Sequence, residues 1–259
     1  MREINAILTI AYRDFVKMLR DRGRVIATFI FPFIFIGILG TSLQSNYGGV
    51  VPYNILLYVF TGVLGQTLFQ STTSGLISLI EDRENDFSQE IFVSPISRCS
   101  IVVGKLLGQS LVAMTQLIGI LLFGFIMGIH LNLLQIIQLI PFFLIVSLFG
   151  GAFGLFVLSN LKSQRSANQI FPFVIFPQFF LAGVFSPNQV LDPIPLVLSR
   201  IMPMTYAVDL IRSVFYTGSE EYSKTVLFNT PIDLAVIFGF CAMFIILGTY
   251  LFVKNERNK

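Results

Sequence analysis

The residue types that most often do chemistry are few in this chain and do not gather. There is one histidine, His130, and there are two cysteines, Cys99 and Cys241, in 259 residues. Neither cysteine belongs to a Cys-x-x-Cys pair, so the sequence predicts no disulfide and no metal site, and both read as plain thiols. A lone histidine at an expected turn offers no Ser/His/Asp constellation, and His-Glu-x-x-His is absent, which sets most hydrolytic schemes aside. Gly104-Lys105 resembles the end of a phosphate loop but lacks the upstream glycine and sits inside an apolar run. The expectation is therefore a chain that is not an enzyme and binds no cofactor of its own. What remains is a set of amides and hydroxyls in apolar surroundings. Gln66, Gln70, Thr73 and Ser74 share one helical face, and Gln178 stands amid Phe173, Phe176 and Phe180. Amides turn away from lipid toward other helices or a cavity. These five either line a route for a passenger or hydrogen-bond helices to one another.

The elements that would carry them are membrane spans. Apolar residues make up 54% of the chain and charged residues 12%, about half the charge of an ordinary soluble domain, and the mean hydropathy is +0.79. A helix needs roughly 20 apolar residues to cross about 30 Å of hydrocarbon, and a helix is favoured because it satisfies its own backbone. Six runs meet that length: Val25–Leu43, Asn54–Ile80, Ile101–Ile129, Leu133–Ser159, Ile170–Phe185 and Ile232–Val253. The fifth is the shortest and holds Pro172 and Pro177, which predict a kink. Of the 17 Lys and Arg, those at 2, 13, 17, 20, 22, 24, 83, 98, 105, 162, 165, 254, 257 and 259 fall on one side of this layout, leaving Arg200, Arg212 and Lys224 for the other. The excess of basic residues marks the cytoplasmic side, so both termini are expected there, in a multi-pass protein of the cell membrane. The fold class predicted is all-α and integral to the membrane, with residues 1–24 as a cytoplasmic segment, 25–253 as the membrane domain and 254–259 as a tail.

Residues 1–24 are too charged for a secretory signal. Ile4, Leu8, Ala11, Tyr12, Phe15, Met18 and Leu19 recur at helical spacing among charges, which predicts an amphipathic helix lying in the cytoplasmic interface, or else a solvated helix end. Two connectors stand out. Between spans two and three, a charged start at Glu81 leads to Phe87, Ile91 and Phe92 and then Pro95. This reads as a short amphipathic helix whose apolar residues dock on a cytosolic partner or pack on the chain's own helix ends. Between spans five and six, two proline-punctuated apolar stretches too short to cross predict re-entrant helices. There Asp209 and Arg212, three residues apart, are expected to pair on one face as a structural contact.

These connectors carry a family resemblance. Arg83-Glu84-Asn85-Asp86-Phe87-Ser88-Gln89-Glu90-Ile91-Phe92-Val93-Ser94-Pro95-Ile96-Ser97-Arg98, followed by Gly104-Lys105, resembles the signature of ABC-2 type transporter permeases. Gly183-Val184-Phe185-Ser186-Pro187 and the run Pro203-Met204-Thr205-Tyr206-Ala207-Val208-Asp209-Leu210-Ile211-Arg212 are similar to that family's segment between spans five and six. The chain departs from the usual pattern at Asp86-Phe87-Ser88 and at Met202. The resemblance implies two membrane subunits, identical or different, on two cytosolic ABC ATPase subunits that hold the ATP and magnesium. It makes the connector a coupling helix, with Glu84, Phe87, Glu90, Ile91, Phe92, Pro95 and Arg98 as its contact residues. Cargo would move outward: a drug, a lipid or a glycoconjugate. Membrane lipid is an expected partner and nucleic acid is not. The competing reading is an ion-coupled secondary transporter with no ATPase. Such proteins carry acids at mid-membrane, whereas Glu81, Asp82 and Asp233 lie at span ends.

Overall fold

The computed structural model describes residues 2–84, 97–129, 131–159, 161 and 163–257, and every assigned element among them is helical. The helices are α1 (Arg2–Arg20), α2 (Arg22–Pro32), α3 (Thr41–Tyr47), α4 (Ile55–Gly75), α5 (Ile77–Glu84), α6 (Arg98–Ile126), α7 (Leu133–Leu158), α8 (Gln164–Leu181), α9 (Pro193–Ile201), α10 (Pro203–Phe215), α11 (Tyr222–Thr225) and α12 (Thr230–Arg257). Their starts follow from local sequence. Asn54, Ser97 and Ser163 cap α4, α6 and α8 by accepting from backbone N–H groups of the first turn, and Asn132 with Gln135 forms a capping box on α7. Pro193 and Pro203 open α9 and α10, where a missing N–H does no harm.

Five helical stretches are long and apolar enough to span a bilayer: Phe29–Tyr47, Ile55–Asp82, Ser100–Ile126, Leu133–Leu158 and Tyr222–Leu251. The expected fifth span is realised as α8, 18 residues long, but its first turns, Gln164 to Gln169, are polar, so its apolar part is short. Pro172 and Pro177 sit within this one helix. In the first span, Phe33–Gly40 between α2 and α3 is wound as a π-helix, which the apolar sequence gave no reason to expect. α9 and α10 meet at 87° and form a bent pair.

α4 is the centre of the bundle. In its span 78% of the most apolar stretch is buried, against 17% in the first and last spans. It packs on α6, α7 and α10. Gly62 admits the turn after α8 and Gly65 admits α10: a Cβ on Gly62 would lie 2.6 Å from Val184 O, and one on Gly65 2.8 Å from Val208 Cα. One apolar core runs through these helices, with Phe60, Leu64, Phe69, Phe143, Phe149 and Ile211 fully enclosed. A smaller cluster of Ile10, Leu76, Ile80, Ile101, Val102 and Leu158 lies where α1 meets the bundle.

Candidate functional site

α5 and α6 flank residues 85–96, and α1 lies along the first half of α6. The approach is close because α6 presents glycine. A Cβ on Gly104 would stand 3.0 Å from Ile10 Cβ, and one on Gly108 3.1 Å from Ala11 Cα. The face of α1 that is covered carries Ile10, Ala11, Met18 and, one turn from each end of that stripe, Asp14. Asp14 is 4% exposed and Lys105 of α6 is 1% exposed. Taking such charges out of water costs several kcal/mol per ion unless each is paired, and here they are. Lys105 Nζ lies 2.9 Å from Asp14 Oδ2 and 2.5 Å from Asp82 Oδ2, and it donates to Ser78 Oγ at 3.2 Å. Arg13 Nη2 reaches Asp82 Oδ2 at 2.6 Å and Asp14 Oδ1 at 2.9 Å. Burial works against the charge on Arg13, but its bonds to Asp82 and Asp14 outweigh this and its pKa is raised.

Two cations and two carboxylates thus tie α1, the end of the second span and the start of the third into one unit. Around them Lys17 meets Glu81 at 3.0 Å, a more exposed contact that contributes little. Glu3 accepts from Ser97 N at 3.2 Å at the cap of α6. Bonds from Ser100 and Ser97 hold its carboxyl below the usual range. Sequence spacing alone does not bring Arg13, Asp14, Asp82 and Lys105 together. The available signal was Lys105, an ionisable residue a turn into an apolar run, which by default has a partner.

Of the residues expected to contact an ATPase, Phe87, Glu90, Ile91, Phe92 and Pro95 lie outside the described residues. Glu84 is the last residue of α5 and Arg98 the first of α6, so the ion cluster stands at the two roots of that segment.

The polar stripe of the second span is brought together only in part. Gln66 donates to Gln70, and Gln66 Oε1 is buried with no partner among the described residues. Thr73 is used at the seam with α7, donating to Gly150 O at 2.7 Å, and Ser74 bonds its own helix at Gln70 O, 2.8 Å. Gln178 serves another joint: its Oε1 accepts from Met204 N at 3.2 Å, satisfying an otherwise unpaired N–H in the first turn of α10.

Asp209 and Arg212, expected to pair on one face of α10, each take backbone partners as well. Asp209 accepts from Leu227 N at 2.9 Å and Phe228 N at 2.6 Å, in the stretch before α12. Arg212 Nη2 donates to Gly183 O at 3.1 Å and Tyr58 O at 3.3 Å, with its guanidinium 3.7 Å from the Tyr58 ring centre. Gly183, at φ +75°, is in the left-handed region, and Tyr58 Oη donates to the same carbonyl at 2.8 Å. The two charged residues therefore fasten α10 to different neighbours, α12 on one side and α4 with the 183 turn on the other.

The family model for ABC-2 type transporters matches residues 5–216, from α1 through the ion cluster to the end of α10. The chain belongs to the ABC-2 type transporter family. This ABC-2 chain is also similar to a curated protein named "Putative transport permease ycf38" from Cyanophora paradoxa. The two are 23% identical over 263 residues, covering 98% of this chain and 90% of that one. Membership makes the ABC-2 chain a membrane subunit of a transporter, of a kind that is generally not enzymatic and generally works with an ABC ATPase.

Proposed function

We propose that this chain is the permease subunit of an ATP-driven exporter, powered by a separate cytosolic ATPase that docks on residues 84–98. The observation that carries the reading is the buried cluster of Arg13, Asp14, Asp82 and Lys105. A push on the connector reaches α5 and α6 through its two roots, and the cluster makes α1, α5 and α6 move together rather than slide past one another. The exposed apolar residues Ile4, Leu8, Tyr12 and Leu19 on α1 suit a helix resting in the cytoplasmic headgroup layer. ATP and magnesium belong to the partner. A second permease, identical or similar, completes the membrane part, and both termini face the cytoplasm of a plasma membrane. The cargo is hydrophobic or amphipathic, of the drug, lipid or glycoconjugate kind. Gln66, Gln70, Thr73 and Ser74 along α4, and Gln178 on α8, mark its route.

The test is copurification and transport by the complex. Phe87→Glu with Ile91→Glu is expected to release the ATPase or leave it hydrolysing without transport, since docking would bury those side chains. A variant that keeps its ATPase and transports at full rate would defeat the docking assignment. Gln66→Leu with Gln70→Leu is expected to lower cargo-stimulated ATP hydrolysis with assembly intact, and unchanged stimulation would remove the stripe from the route. One observation favours the ion-coupled alternative: Asp233, fully buried in the first turn of α12, has no hydrogen-bond partner on either oxygen among the described residues. Gradient-driven flux through the chain alone in liposomes would decide for it.

A further inference from the structure

At the end of the bundle away from the ion cluster, the start of α4, the end of α6, the start of α7 and the end of α10 enclose a recess of about 530 Å³, within the range of small-molecule sites. We infer that this recess binds a primary ammonium group carried on a short apolar body. Its wall is half apolar, with Leu56, Leu57, Met127 and Phe215, and half polar, with Tyr216 and Glu221. Glu221 is the only charged residue among the described residues of that wall. Its Oε1 accepts from Asn54 N at 3.3 Å, while Oε2 is buried and has no partner among the described residues. Tyr216 is 2% exposed and its hydroxyl likewise has none.

A buried carboxylate oxygen left unpaired costs more than a neutral group does, and it accepts only. What completes it is a donor, and a positive one is favoured. The nearby cations among the described residues are committed elsewhere. Arg212 donates to Tyr58 and Gly183, and Lys224 Nζ lies 3.5 Å from Pro52 O. The helix ends around the recess are mostly capped by their own residues: Asn54 at α4, the Asn132–Gln135 box at α7, and backbone bonds of Met127 and Tyr216 at α6 and α10. They leave the sign of the site to Glu221. A primary ammonium supplies N–H groups to both Glu221 Oε2 and Tyr216 Oη, which a quaternary ammonium cannot do. The Leu56, Leu57 and Met127 wall takes its alkyl part. Such a group is offered by a soluble amine or by the ethanolamine headgroup of a phospholipid.

The experiment uses the full chain in phosphatidylcholine nanodiscs, titrated calorimetrically with n-butylammonium. Saturable binding is expected, about tenfold weaker for n-butanol and about tenfold weaker in Glu221→Gln, the scale of one charge-assisted hydrogen bond. Glutamine keeps an oxygen that can receive Asn54 N. Tyr216→Phe is expected to weaken binding a few-fold, by loss of one hydrogen bond. Repeating the titration in phosphatidylethanolamine discs separates the sources: competition assigns the site to the headgroup, and unchanged binding assigns it to a soluble amine. No saturable butylammonium binding, equal binding of butanol, or an unaffected Glu221→Gln variant overturns the inference. None of these readouts involves an ATPase, so the result stands apart from the transport reading.

Discussion

Asp209 and Asp233 are the same side chain in opposite situations on neighbouring helices. Asp209 is 3% exposed and receives the N–H groups of Leu227 and Phe228, whereas neither oxygen of the fully buried Asp233 has a partner among the described residues. Removing the charge should therefore act in opposite directions. Asp209→Asn loses charge-assisted bonds and turns an NH₂ toward backbone donors. It is expected to lower stability by about 1.5–3 kcal/mol, read as a lower melting temperature in detergent. Asp233→Asn is expected to leave that temperature unchanged or raise it, since a buried charge with no counter-ion is itself unfavourable. Lys105 makes the complementary case. Lys105→Met leaves Asp14 and Asp82 short of a cation and is expected to cost about 3–5 kcal/mol, whereas Lys105→Met with Asp14→Leu should recover part of it. Little of this was legible beforehand. The sequence shows that Asp209 and Arg212 share a helical face, but three-residue spacing says only that two side chains can meet. Whether they do depends on which backbone groups the turns at 183 and 227 bring closer, and those turns join segments far apart in the chain.

At the scale of elements, the sequence was most readable where a local cause sufficed. Asn54, Ser97 and Asn132 start helices within a few residues of the expected span starts, because a cap acts on its own first turn. The π-wound Phe33–Gly40 was not readable, since a wholly apolar octapeptide has no polar face from which to measure a period. α8 differs from the expected span in its bounds: Ile170–Phe185 is apolar, but the helix begins at Gln164 and ends at Leu181. Gly104 was noted for what it is not, a phosphate-binding glycine. Its place beside Ile10, and that of Gly108 beside Ala11, show what it does. Leucine at Gly108 would push α1 off α6 and part Asp14 from Lys105. In the complex Gly108→Leu is expected to leave ATP hydrolysis running while transport falls at least about tenfold, the factor for 1.4 kcal/mol of lost coupling. Glu3 should show a gentler effect with acid. Its carboxyl is held below the ordinary value by Ser100 and Ser97, so its contribution to docking α1 is present at neutral pH and fades only as pH falls through that lowered value. Protection of the α1 amides from hydrogen exchange is expected to hold down to weakly acidic pH and then drop, and Glu3→Gln should remove the drop.

For the whole molecule, the arrangement sets the two candidate sites at opposite ends of the same central helix. α4 is capped by Asn54, beside the recess with Glu221, and is followed by α5, which carries Asp82 of the ion cluster and ends at Glu84. The first and last spans are the least enclosed: Ile34 and Ile38 on one and Phe238, Ile246 and Tyr250 on the other are exposed. This architecture makes a strict demand on orientation. If basic residues fix the cytoplasmic side, the ion cluster must be inside and the recess outside, whatever the cargo. After Cys99 and Cys241 are replaced by serine, Ser219→Cys at the rim of the recess is expected to react with a membrane-impermeant maleimide in intact cells. Ser97→Cys, at the cap of α6, should react only after permeabilisation. Ser219 is exposed and Ser97 is exposed, so neither result can be blamed on burial. Labelling of Ser97→Cys alone from outside would invert the topology and with it the side on which any ATPase could act.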